Sequence, residues 1–130
     1  KNNLTNVRFK DKRVKFNKIP YILSKGHVNV LTYTKGFGDF GSSSGKLFLY
    51  LASGKPVCSN IRFNHCLISE NGLGIAKDMS NVQEFANSLE YLVDLNDNKR
   101  NAIAQRSFKV MEKYDTEVLS RQIVKILTNE

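Results

Sequence analysis

Between Gly36 and Val57 the chain reads GFGDFGSSSGKLFLYLASGKPV, a stretch holding five of its eight glycines and three serines in a row. Residues this small let a ligand approach the backbone closely. An apolar run at Val28, Val30 and Leu31 precedes the stretch and reads as a buried strand, and LFLYLA within it reads as a helix. Strand, glycine–serine loop and helix N-terminus, in that order, aim free main-chain N–H groups at a bound anion. The helix dipole alone favours an anion there by about 0.3–1 kcal/mol.

Two nucleotide-binding templates fit the stretch poorly. Gly36-Phe37-Gly38-Asp39-Phe40-Gly41 is a literal G-x-G-x-x-G, but a dinucleotide site also needs an acid about 20 positions on, at the end of the next strand. That strand ends in Ser59 and Asn60, and no acid follows before Glu70. An NAD-binding oxidoreductase fragment is therefore a minor alternative. Gly41 to Leu47 has three residues between its glycines where a P-loop has four, and Leu47 replaces the magnesium-binding hydroxyl. That template is excluded. Cys58 and Cys66 have no metal-type spacing and read as small buried hydrophobes, and no metal site is expected. His27 and His65 lack metal or triad partners and read as structural, packing or surface residues.

The elements that must position the loop follow from periodicity. Asn6–Lys10 alternates and reads as a strand. Asn17–Ser24 reads as a helix capped by Asn17, with Pro20 tolerated in the first turn. Strands are expected at His27–Tyr33, Pro56–Asn60 and Leu73–Ala76, a helix at Gly45–Ala52 stopped by Gly54 and Pro56, and a helical turn at His65–Ser69. From Ser80 the chain turns helical. Ser80 or Asn81 caps a helix with Val82, Phe85, Ala86, Leu89, Leu92 and Val93 on one face, and Glu84 suits a capping box. Asn96 or Asp97 opens a second helix through Glu112, and Asp115 caps a third with Val118, Leu119, Ile123, Ile126 and Leu127 inward. The expected class is α/β with a mainly parallel, Rossmann-like sheet flanked by helices, alternating over about residues 1–79, with a helical tail over 80–130.

At 130 residues the chain is one domain or part of one, and no apolar run approaches the ~20 residues that cross a bilayer. It starts at Lys1 and carries nothing like a secretory signal, so a fragment or processed chain in the cytoplasm is expected. The formal net charge of +8 is the one unusual bulk property. Basic residues crowd the start (Arg8, Lys10, Lys12, Arg13, Lys15, Lys18), with Asp11 the one acid and Phe9 and Phe16 the aromatics of that run. It reads as a solvated patch or one facing an anionic membrane, which would place the protein peripherally on the inner membrane face. No nucleic-acid partner is expected, since no reading element accompanies the charge.

The order of these segments resembles the C-terminal, donor-binding domain of GT-B retaining glycosyltransferases of family 4. The most specific piece is Lys46–Val57, KLFLYLASGKPV, close to the KLFEYLAAGKPV form of bacterial polysaccharide-building members. NVRF at Asn6, GHVNVLTY, ENGLGI at Glu70–Ile75 and MEKYD at Met111–Asp115 fall in the family's order, so the resemblance spans essentially the whole chain. It implies transfer of a sugar from a nucleotide-diphosphate-sugar donor, with retention and without a required metal or cofactor. It also implies donor contacts from the main-chain amides of Gly41, Ser42, Ser43, Ser44 and Gly45, with Lys46 lending positive charge.

Two departures bear on activity. The family's acid pair, eight positions apart, falls on Gly41 and Leu49, and neither is acidic. Leu49 offers no acceptor to a ribose hydroxyl, while Asp39 is the nearest carboxylate and a substitute for the first acid. The resemblance further implies two strand–helix units upstream of Lys1 and an N-terminal acceptor domain as partner. On that basis the Asn6 strand should be a sheet edge and the Val28 strand should lie across an unfilled position, with little transferase activity in the isolated chain. A degenerate or truncated domain that binds without catalysing is the main alternative.

Overall fold

A computed structural model describes residues 5–9, 13–34 and 45–128. Three short strands, β1 (Asn29–Leu31), β2 (Val57–Ser59) and β3 (Gly74–Ala76), form a parallel sheet in the order β1-β2-β3. Asn29 pairs with Val57, and Val57 with Gly74, so both ladders share one register line. Around the sheet run α1 (Ile19–Ser24), entered through a single 3₁₀ turn at Phe16–Lys18, then α2 (Gly45–Ala52), α3 (Leu67–Glu70), α4 (Val82–Val93), α5 (Asp97–Glu112) and α6 (Thr116–Thr128). The class is α/β: a parallel sheet with helices on both faces and a helical C-terminal portion.

Period-two alternation distributes the strand side chains between two cores. Leu31, Val57 and Ala76 point to one face, where they meet Leu51 of α2, Ile68 of α3, Leu73 and Val110 of α5. Cys58 and Ile75 point to the other, against Leu89 and Leu92 of α4, Leu95 and Ile103 of α5. Val57 and Cys58 are fully buried, as a central parallel strand requires. Gly74 permits this spacing: a Cβ there would lie 2.0 Å from the Val57 carbonyl oxygen.

Capping chemistry sets the helix starts. The Asn81 side chain accepts from the Glu84 N–H at 2.9 Å, and the Glu84 carboxylate accepts from the Ser80 N–H at 3.0 Å. Asn96 caps α5 through the Lys99 N–H at 3.0 Å. Two arginines of α5 pin the ends of neighbouring helices. Arg100 donates to the carbonyls of Val93 and Leu95, and Arg106 to those of Asn71 and Gly72.

Several expectations need correction. Residues 6–9 form no strand, and Lys10 lies outside the described residues. Val7 and Phe9 are exposed there, so among the described residues the alternation has no core to bury against. The three later strands sit side by side, and β1 pairs only with β2 among the described residues, so no sheet position is skipped between them. Asn17 lies within the 3₁₀ turn rather than capping α1, while Pro20 does sit at the helix start. In α4, Val82 and Val93 are exposed at the two ends, beyond the reach of the sheet, and Leu92 carries the burial. No residue of α6 is buried. Leu119, Ile123, Ile126 and Leu127 face outward, Leu127 at 78% exposure, because among the described residues no other element covers that stripe. No helix among the described residues is long and apolar enough to cross a membrane.

Candidate functional site

Helix α2 carries the candidate loop's downstream end. Its sequence, GKLFLYLA, buries Leu51 and half-buries Leu47 and Tyr50 against the sheet. The helix stops at Gly54, whose φ of +69° suits glycine and whose N–H reaches the Leu51 carbonyl at 3.0 Å. A part-buried hook then orients it. The Asn29 side chain, at the start of β1, donates to Ser53 Oγ at 2.8 Å, and Ser53 Oγ donates to the Tyr50 carbonyl at 2.6 Å. The C-terminus of α2 is thereby fastened to the amino end of the sheet, which leaves its N-terminus, Gly45, at the carboxyl end of the strands. Ligands of open α/β sheets bind at that edge.

A cavity of about 460 Å³ opens at the same edge. Leu31 and Tyr33 at the end of β1 form its floor, Leu47 and Phe48 of α2 one wall, and Phe63 to Ile68 after β2 the other, with Glu70 and Tyr114 completing the rim. Four aromatic rings line it in two pairs. Tyr33 and Phe63 meet edge to face at 4.9 Å between centroids, and Phe48 and Tyr114 meet at 5.2 Å, tilted by 55°. Flat apolar faces beside a few polar groups suit a planar or sugar-like ligand.

The floor is held by a side chain acting as a strand. Asn60 Oδ1 accepts from the Tyr33 N–H at 2.9 Å while its Nδ2 donates to the Tyr33 carbonyl at 2.9 Å. The pair continues the β1–β2 ladder past its last residues and fixes Tyr33 beside the cavity. On the other side the Arg62 N–H donates to Asp78 Oδ1 at 3.2 Å, tying the exits of β2 and β3. His65, at φ +55°, turns the wall sharply just before α3. Burial, reinforced by the neighbouring Tyr33, raises the Tyr50 phenol above its ordinary value. Burial pushes the Cys58 thiol up to about 11, with Lys77 partly opposing it.

Of the expected donor-binding residues, Asp39, Gly41, Ser42, Ser43 and Ser44 lie outside the described residues. Gly45 is the first residue of α2, exposed, with nothing within 4 Å of where a Cβ would sit. Lys46 is exposed and Leu49 half-buried, and the cavity is lined by their neighbours Leu47 and Phe48 instead. Both cysteines are free and buried. Among the described residues no group of three or more His, Cys, Asp or Glu is placed to hold a metal ion. Motif reading missed Tyr33, Asn60, Phe63 and Tyr114. The available signal was weak: aromatics just past two strand ends, TYT and IRF, at positions where chains of this class build sites. No family model, curated protein or solved structure matches the chain.

Proposed function

We propose that this chain is the donor-binding part of a GT-B-type, Rossmann-like glycosyltransferase, taking a nucleotide-diphosphate-sugar for the synthesis of a polysaccharide or other glycan. One observation carries the reading. An aromatic-walled cavity lies at the carboxyl edge of the parallel strands, against the first turn of the helix that the glycine–serine segment enters. The resemblance of Lys46–Val57 to the family's donor motif falls on that same helix and the strand after it.

In this reading the main-chain amides of Gly41–Gly45 receive the diphosphate, and the rings of Tyr33, Phe48 and Phe63 receive the flat faces of the base or sugar. The catalytic contribution is stabilisation of charge on the departing diphosphate by fixed dipoles, which cost no reorganisation as the bond breaks. An acceptor-binding partner domain completes the enzyme. Gly41 and Leu49, at the positions of the family's acids, favour one second reading, a domain that binds nucleotide without transferring sugar.

Thermal shift with nucleoside diphosphates, nucleotide sugars and NAD tests the proposal. A ligand at 100 times its dissociation constant stabilises by about 2.7 kcal/mol. Stabilisation by nucleoside diphosphates supports the donor site, and stabilisation by NAD alone identifies a dinucleotide site instead. Silence with all of them removes the proposal. Release of nucleoside diphosphate from the nucleotide sugar, matched by glycosylation of a glycan acceptor in the presence of the partner domain, separates the catalytic reading from the binding one.

A further inference from the structure

The net charge of the chain is entirely one-sided. Residues 1–38 hold nine lysines and arginines and one acid, Asp11, whereas residues 39–130 hold eleven of each sign. The whole formal excess of +8 thus belongs to the segment leading through α1 and β1, and residues 12–38 contain no Asp or Glu. Among the described residues of this segment, Arg8, Arg13, Lys15, Lys18 and Lys25 are all exposed.

The same segment exposes apolar side chains that a water-facing surface ordinarily hides. Phe9 is 88% exposed, Phe16 73% and Tyr21 65%, with Val7 and Ile22 also outward. Helix α1 packs against α2, with Ile19 and Leu23 half-buried one turn apart, while Tyr21 and Ile22 face out. Phe16 stands between Lys15 and Lys18 in the chain, and all three side chains are exposed. Lysine and arginine stems can lie along an apolar boundary while their heads stay with anionic groups.

We infer that this segment docks on an anionic lipid bilayer, its cations on the headgroups and its exposed Phe16 in the acyl boundary. The basic excess complements the charge of such a surface, and the outward rings gain by leaving water. A nucleic acid fits less well. Its phosphates would satisfy the cations, but the exposed aliphatic Val7 and Ile22 offer bases nothing to stack on, and the Lys25 ammonium sits 4.6 Å over the Tyr21 ring centroid. Because residues 39–130 are balanced in charge, the net attraction to such a surface comes from this segment.

Flotation of the full chain with unilamellar vesicles tests this, comparing phosphatidylcholine alone with phosphatidylcholine containing about one third phosphatidylserine. The chain should float with the anionic vesicles, stay in solution with the neutral ones, and detach at high salt. Lys15→Ala with Lys18→Ala should weaken partitioning about 25-fold, at roughly fivefold per basic residue, and Phe16→Ser by about tenfold. Lys109→Ala with Lys113→Ala, on α5 and just after it, should change it little. All these side chains are exposed, and circular dichroism verifies that each variant folds. Failure to bind anionic vesicles overturns the inference, as does binding that the N-terminal variants leave intact. It also fails if an oligonucleotide binds more tightly than the anionic vesicles, which would identify a nucleic-acid surface.

Discussion

Asn60→Ala removes both hydrogen bonds that hold Tyr33 at the cavity floor and introduces nothing in their place. Each bond measures 2.9 Å and joins a side-chain amide to a main-chain group, so the geometry is good for both. At a net 0.5–1.5 kcal/mol per bond, the variant should lose about 2 kcal/mol of unfolding free energy. With an m-value of roughly 1.5 kcal/mol/M, the urea midpoint falls by about 1.3 M while m stays constant. Asn60→Asp sharpens the test. The carboxylate still accepts from the Tyr33 N–H, but its second oxygen now faces the Tyr33 carbonyl where the amide donated. At neutral pH it should lose at least as much stability as Asn60→Ala. The gap to wild type should then narrow below about pH 5, as a protonated carboxyl becomes able to donate. An alanine variant within 0.5 kcal/mol of wild type, or an aspartate variant equal to it at neutral pH, refutes the argument that this side chain extends the sheet.

Other consequences can be measured separately. Gly74→Ala places a Cβ 2.0 Å from the Val57 carbonyl oxygen, so it should abolish folding or cost more than about 4 kcal/mol, read by soluble yield and urea melts. Asn81→Ala removes the cap of α4 and should cost about 1 kcal/mol by the same melts. Glu84 is held below its ordinary carboxylate range chiefly by the Ser80 N–H, so it supports folding at neutral pH and loses that support as pH falls through its folded value. Cys58, with its thiol raised to about 11, should resist thiol reagents at pH 8 until the protein unfolds. Its linkage has the opposite sense. Above pH 9 the unfolded thiol ionises ahead of the buried one, so stability should decline by about 1 kcal/mol per pH unit between 9 and 11.

Legibility in the sequence tracked how local the determining physics is. The bounds of α2, the Asn81 and Asn96 caps and the stop at Gly54 are short-range, and each could be read from a few neighbours. The three parallel strands were visible as apolar runs between turn residues, though the ladder is shorter than each run. What failed depended on distant partners. Among the described residues, Val7 and Phe9 alternate like a strand but have no strand to pair with, and the apolar stripe of α6 has the period of a buried helix without a surface to meet. The cavity was illegible for the same reason. Tyr33, Phe63 and Tyr114 are far apart in the chain; the β1–β2 pairing brings the first two together, and the packing of α5 on α2 brings the third. The loop that drew attention first, residues 36–44, lies outside the described residues, so its role rests on its composition and on the helix it enters.

The most direct measurement is a two-dimensional amide NMR titration of the full chain with nucleoside diphosphates. The account predicts saturable shifts concentrated on Ser42–Gly45 and on Tyr33, Phe48 and Phe63, with α4 and α6 undisturbed. Absence of any saturable shift, or shifts confined to the basic N-terminal segment, would contradict a donor site at the carboxyl edge of this sheet.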